Sequence, residues 1–287
     1  MAERTWQQGE WTSADGLVLR YRDYPGAADR APVLCIPGLT RNARDFEALA
    51  EALAPARRVI CVDLRGRGQS DYAKDPASYT PLHYVDDLLL LFKAARLKKA
   101  VIIGTSLGGI VAMLLAAKAP KLVAGAVLND IGPDVDPRGL ARIRSYVGQG
   151  RSFETWMHAA RALREQAAAF YPAYEIADWL GMAKRLMVLG NNGRIAFDYD
   201  MKIAEPFNDP PPDPAVDLWP AFRALAGRPV LTLRGQLSDI LSAATVQRMK
   251  KEMPDMAAVT VGKVGHSPTL AEPAALRAIK RLLDVAA

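Results

Sequence analysis

The chain has 287 residues, 50% of them hydrophobic and 24% charged, which is enough apolar material for one large core and does not demand several domains. With 21 glycines, 20 prolines and no internal repeat, it is not collagen-like, disordered or a coiled coil. The formal charge of +6, from 37 basic and 31 acidic residues, is mixed along the chain without a block of like charges, so it is not the footprint of a nucleic-acid partner.

Cys35 and Cys61 each lie inside an apolar run and cannot staple a chain of this length, so reduced, buried thiols are expected. The opening MAERTWQQGEWTS has no apolar stretch behind a positive start, which predicts a cytoplasmic protein with no membrane partner. The uncharged run 100–117 just reaches the length of a membrane span. Gly104, Gly108 and Gly109 interrupt it, β-branched residues fill its first half, and Ala, Leu and Met fill its second. A buried strand, a sharp turn and a buried helix fit that pattern better.

In chain order, Trp11 to Ser13 and Leu17 to Arg22 flank an Asp15-Gly16 turn and predict a hairpin, followed by a buried strand over Pro32 to Ile36 that Pro37-Gly38 ends. Asp45 is a candidate cap for a helix through Ala54, and Arg58 to Leu64 is a continuous apolar strand of the kind found inside a parallel sheet. Thr80 and Pro81 start a helix to Arg96. Strand Ala100 to Gly104, helix Leu107 to Lys118 and strand Leu122 to Leu128 follow. Such alternation predicts a doubly wound α/β sheet with right-handed crossovers.

The alternation stops from Gly132 to Pro220. Helical patterns over Leu140 to Val147, Phe153 to Ala169 and Ala173 to Met187, a Gly-Asn-rich break at 190–193 and a proline run at 210–214 read as an inserted helical unit. The core pattern then resumes with helix Trp219 to Ala226, strand Pro229 to Arg234, helix Ala243 to Met253, strand Ala257 to Val261 and helix Pro273 to Val285. Residues 1–132 and 220–287 are thus expected to form the core, and 133–219 a lid.

Between a predicted strand and a predicted helix stands Gly104-Thr105-Ser106-Leu107-Gly108-Gly109, a G-x-S-x-G run in the context its chemistry needs. Small flanking residues allow a turn tight enough to hold the serine hydroxyl above the sheet, beside helix N–H groups that can stabilise an anion. A serine hydroxyl needs a base, and the base an orienting carboxylate. Of the three histidines, His83 falls in the first turn of an early helix and His158 in the insertion, where solvated or structural roles are expected. His266, in the Val264-Gly265-His266-Ser267-Pro268 loop after the last strand, is where an open α/β sheet places its sites.

Two aspartates at strand ends compete for the acid. Asp239 follows one strand in RGQLSDIL, Asp130 follows another in LNDIGP, and either satisfies the order serine, acid, histidine. Asp239 is favoured; Asp63 precedes the serine and fails on order. The second anion-stabilising N–H is expected at Leu39, where Gly38 lets the loop turn sharply enough to face the Leu107 N–H.

The runs PGLTRNARDFEALA, VDLRGRGQSD, GTSLGG, LRGQLSDIL and GHSPTLAEP together resemble the α/β-hydrolase superfamily over nearly the full length, from Gly9 to Ala287. The resemblance implies an α/β-hydrolase fold with a mostly parallel sheet of about eight strands. It also implies a Ser106, Asp239, His266 triad and a lid formed by the insertion. Pro37-Gly38 stands where the superfamily usually shows His-Gly, which removes a side chain often used to brace the oxyanion loop. VDLRGRGQSD resembles a structural turn and is assigned no chemistry.

Eleven of the 21 aromatic residues fall within 133–219, more than a small lid can bury within itself, so several are expected to face a pocket below it. Phe153, Trp156 and Trp179 are the named candidates for substrate contact. The expected activity is hydrolysis of a carboxylic ester of an uncharged, apolar or aromatic small molecule through an acyl-enzyme. Carbon–carbon bond or lactone hydrolysis with the same groups, and a non-catalytic receptor on the same scaffold, are the alternatives. Serine rather than aspartate at the elbow argues against dehalogenases and epoxide hydrolases. No metal, phosphate or dinucleotide motif is present, so no cofactor is expected. The sequence leaves the oligomeric state open, with a homodimer as one candidate.

Overall fold

The apolar runs become the middle of an eight-stranded sheet. In the computed structural model, which describes residues 5–208 and 216–286, the strands are β1 (Gln7–Thr12), β2 (Val18–Tyr24), β3 (Val33–Ile36), β4 (Val59–Asp63), β5 (Ala100–Thr105), β6 (Val123–Asn129), and, after an insertion carrying β7 to β9, β10 (Val230–Gly235) and β11 (Ala257–Val261). Their spatial order is β1-β2-β4-β3-β5-β6-β10-β11. The β1–β2 hairpin and its contact with β4 are antiparallel; every other pairing is parallel. The sequence-based expectation of a mostly parallel sheet of about eight strands is borne out.

Every residue of β3, β4 and β5 is buried, because helices cover both faces. Successive side chains point to opposite faces, so each strand feeds two cores. Leu34, Ile60 and Ile102 pack with α2 (Pro81–Ala94) and α3 (Leu107–Lys118), whereas Val33, Cys35, Cys61, Val101 and Ile103 pack with α1 (Glu47–Leu53) and α10 (Pro273–Val285). Both cysteines are free and buried, as expected, and sit opposite each other in the β3–β4 register.

The site's position follows from the strand order. The chain leaves β3 toward β4 on one side, then crosses back to β5 on the other. The loops after β3 and β5 therefore diverge, and the crevice between them at the carboxyl edge is where open α/β sheets bind ligands.

Between β6 and α8 (Trp219–Arg223) lie α4 (Pro137–Arg144), α5 (Trp156–Ala167), α6 (Ile176–Leu186) and α7 (Ala204–Asn208). The same segment carries a small antiparallel sheet of β7 (Ser152–Phe153), β8 (Met187–Leu189) and β9 (Ile195–Phe197), in the order β7-β9-β8. An all-helical insertion was expected. The Gly-Asn-rich stretch 190–193 is instead the turn of the β8–β9 hairpin, with Gly190 N–H and Arg194 C=O closing it at 2.8 Å. Strands of two and three residues are too short to show a period of two. The proline run 210–214 lies outside the described residues.

One cap also differs. Asn42, not Asp45, opens the turn before α1, accepting from Arg44 N–H; Asp45 is occupied by Arg41.

Candidate active site

Ser106 sits between the last residue of β5 and the first of α3 with φ 53° and ψ −118°, a strained backbone held by its surroundings. A Cβ at Gly104 would stand 2.2 Å from the Gly108 carbonyl oxygen, and one at Gly108 would stand 2.1 Å from that of Ile36. Only glycine lets strand, turn and helix approach so closely. Ser106 N–H donates to Asn129 C=O at 3.0 Å. The Asn129 amide in turn donates to Thr105 Oγ1 and to Pro268 C=O, which ties the turn to the loop carrying His266.

Ser106 Oγ lies 2.9 Å from His266 Nε2, and His266 Nδ1 lies 2.8 Å from Asp130 Oδ2. The carboxylate against the histidine is therefore Asp130, and the expectation of Asp239 is corrected. Asp239 grips Arg142 in a two-point ion pair at 2.6 and 2.9 Å. The loop after β10 does reach this point, since Ser238 touches the same Asp130 oxygen, but the next side chain, Asp239, is turned to Arg142. Asp130 has φ 56° and no exposed surface. Its Oδ1 accepts from Gly235 N–H at 2.7 Å and its Oδ2 also accepts from Ser238 Oγ at 2.6 Å. These partners hold the buried carboxylate in one orientation. His83 and His158 are exposed on the first turns of α2 and α5, away from this cluster.

The loop after β3 closes the site from the other side. A Cβ at Gly38 would lie 3.6 Å from Ser106 Cβ and 3.3 Å from Arg41 Cγ, so the loop runs directly beside the serine. Leu107 opens α3, where the first N–H groups have no intrahelical acceptor. The two expected donors, Leu39 and Leu107, thus lie on the loop beside Ser106 and at the first position of α3. The brace absent from Pro37-Gly38 comes from a segment to which the sequence assigned no chemistry: Arg67, fully buried, donates through Nε to Leu39 C=O at 2.9 Å. Its guanidinium is also 4.8 Å from the Tyr84 ring centroid. A lone arginine in a predicted turn carried no signal that could have found this.

Above the serine is a cavity of about 340 Å³ bounded by Ser106, His266, the Gly38 to Arg41 loop and the insertion. The aromatic side chains that line it are Tyr146, Phe153, Phe170, Tyr171, Phe197 and Tyr199. Phe153 is among the residues expected there. Trp156 and Trp179 are not, and their assignment as substrate contacts is corrected. Trp179, 1% exposed, is set edge-on to Tyr171 and Tyr174 at 6.0 and 5.2 Å, as mortar between α6 and the wall. Trp156 packs against the second core cluster. Helical periodicity separates a buried face from an exposed one, but not a face buried in protein from one lining a void. Phe170 fixes the insertion to the histidine loop: its C=O accepts from Gly265 N–H at 2.6 Å, and a Cβ at Gly265 would strike its ring. Burial pushes the Tyr146 and Tyr171 hydroxyls up, so both are neutral donors at neutral pH.

Among the described residues no group of three or more His, Cys, Asp or Glu is placed to hold a metal ion, and no helix is long and apolar enough to cross a membrane.

A strained serine between strand and helix, a histidine on the loop after the last strand and a parallel sheet with hairpin edge define an α/β hydrolase, and residues 33–279 match the alpha/beta hydrolase family. The chain belongs to that family. Over 263 residues it is 33% identical to the 3-hydroxybutyrate-oligomer hydrolase of Cupriavidus necator, covering 89% of each chain. It is 27% identical over 256 residues to the 2-(acetamidomethylene)succinate hydrolase of Mesorhizobium japonicum, covering 88% of this chain and 87% of the other. Among solved structures, an alpha/beta hydrolase from Novosphingobium aromaticivorans is 57% identical and superposes with a TM-score of 0.94 over 99% of both chains.

Proposed function

We propose that the protein is a serine hydrolase that cleaves a carboxylic ester through an acyl-enzyme, with Ser106 as nucleophile, His266 as base and Asp130 as its orienting acid. The observation that carries this reading is the unbroken hydrogen-bonded line Ser106 Oγ, His266 Nε2, His266 Nδ1, Asp130 Oδ2 beneath a lined cavity.

His266 Nε2 takes the proton from Ser106 Oγ as that oxygen attacks the ester carbonyl carbon. The carbonyl oxygen becomes an oxyanion that the Leu39 and Leu107 N–H groups receive, each such donor being worth about 2.7 to 4 kcal/mol in the transition state. Collapse breaks the bond to the alcohol oxygen, which leaves with the proton from His266. Water, deprotonated by His266, then attacks the acyl-serine, and Ser106 recovers its proton as the acid departs. Asp130 accepts from His266 Nδ1 throughout and stabilises the imidazolium.

In this reading the insertion acts as a lid whose aromatic side chains contact the apolar body of the substrate. The 33% identical relative is named for the hydrolysis of 3-hydroxybutyrate oligomers, which favours an ester substrate over the lactone and carbon–carbon alternatives. An organofluorophosphonate is expected to label Ser106 and abolish hydrolysis of p-nitrophenyl esters, and Ser106→Ala is expected to lose both. Labelling at another serine with activity intact would overturn the assignment.

A further inference from the structure

The cavity wall carries positive charge in an uneven way. Arg41, Arg142 and Arg151 line it, and among the described residues no aspartate or glutamate does. Two of these charges are answered from behind the wall. Arg41 holds Asp45, and Arg142 holds Asp239, each through Nε and Nη2. Arg151 is different. Its guanidinium stands 5.6 Å from the centroid of the Phe153 ring, itself a lining residue, and no carboxylate among the described residues pairs with it.

A cation in a cavity wall attracts an anionic group from the ligand, and a guanidinium offers a two-point grip that matches a carboxylate. One unanswered charge calls for one anion. A dianion would find its second charge opposed only by arginines already paired. We infer that the substrate is an ester whose end remote from the cleaved bond carries a single carboxylate, held by Arg151, while its uncharged body lies against the aromatic wall. The expectation of a wholly uncharged substrate is revised at that one end. The inference rests on the ester-hydrolase reading for which bond breaks, but the grip itself is a binding property that can be measured without turnover.

Ser106→Ala protein, in which acylation is stopped, would be titrated calorimetrically with monoethyl glutarate and with diethyl glutarate, which differ in one carboxylate. The half-ester is expected to bind about tenfold more tightly, a modest ratio because Arg151 is solvent-exposed and its pairing is screened. Adding Arg151→Gln is expected to bring the ratio close to one, with Arg151→Lys retaining part of it. About 0.5 M NaCl should shrink the ratio in the Arg151 protein, an arm that holds even where a substitution fails to fold. Equal affinities, or a preference indifferent to both Arg151→Gln and salt, would overturn the inference. Separately, wild-type protein would be assayed on the mono-p-nitrophenyl ester of glutarate, which carries the carboxylate, and on p-nitrophenyl butyrate, which does not. Failure to hydrolyse either while the half-ester binding preference stands would remove the ester-hydrolase reading and leave the carboxylate grip intact. Turnover of both with no half-ester preference would do the reverse.

Discussion

Asp130 and His266, 136 positions apart in the chain, meet at 2.8 Å, and the carboxylate oxygen that meets the imidazole also accepts the Ser238 hydroxyl at 2.6 Å. Two aspartates had equal standing by chain order; this contact separates them. Asp130→Asn is expected to lower kcat on the order of 10⁴-fold, the loss typical when a triad carboxylate is neutralised and the imidazole tautomer is wrong. Asp239→Asn should cost less than about tenfold, through loosening of Arg142 in the cavity wall. Steady-state kinetics of the two variants on one p-nitrophenyl ester would check the order; a reversal would return the role to Asp239.

Ser238 has no place in the proposed chemistry, yet it fixes the acid. Hydrogen bonds to charged groups are worth about 1.5 to 3 kcal/mol, so Ser238→Ala should lower kcat by about tenfold with KM nearly unchanged. Ser238→Thr, which keeps the hydroxyl, should restore much of the rate. A change confined to thermal stability would make the contact structural only.

Arg67 holds the Leu39 carbonyl and thereby braces the loop whose Leu39 N–H is the proposed oxyanion donor. Lysine keeps the charge but not the directed Nε–H. Arg67→Lys is expected to lower kcat by about 10- to 100-fold, toward the cost of losing one oxyanion donor, with a smaller effect on KM. Unchanged kcat would show that the loop keeps its shape without this brace.

The aromatic residues of the insertion should divide by role. Trp179→Ala should cost about 3 to 5 kcal/mol of stability, as expected for truncation of a fully buried aromatic, and leave the ratio of kcat/KM for a bulky and an acetyl ester unchanged. Phe197→Ala, at the cavity wall, should lower that ratio about tenfold. Thermal melts and kinetics of both variants would decide it. The assignment fails if Trp179→Ala moves the ratio and Phe197→Ala does not.

What the sequence by itself determined is local. The strands and helices around Ser106 were legible because unbroken β-branched runs, Ala-rich helices and Gly-Pro breaks act over a few residues. Ala257–Val261, Leu107–Lys118 and Pro273–Val285 match their predicted bounds. Ser106 and His266 were legible for the same reason: the elbow is written in adjacent residues, and the chain offers few histidines. The tertiary structure alone decided what depends on which strand lies beside which. It set Asp130 against His266 and turned Asp239 to Arg142. It brought Arg67 under Leu39 across 28 positions, and it sorted the aromatics of the insertion into wall and mortar. None of these has a local signature, because the same hydrophobic periodicity buries a side chain whether it meets a neighbour or an empty cavity.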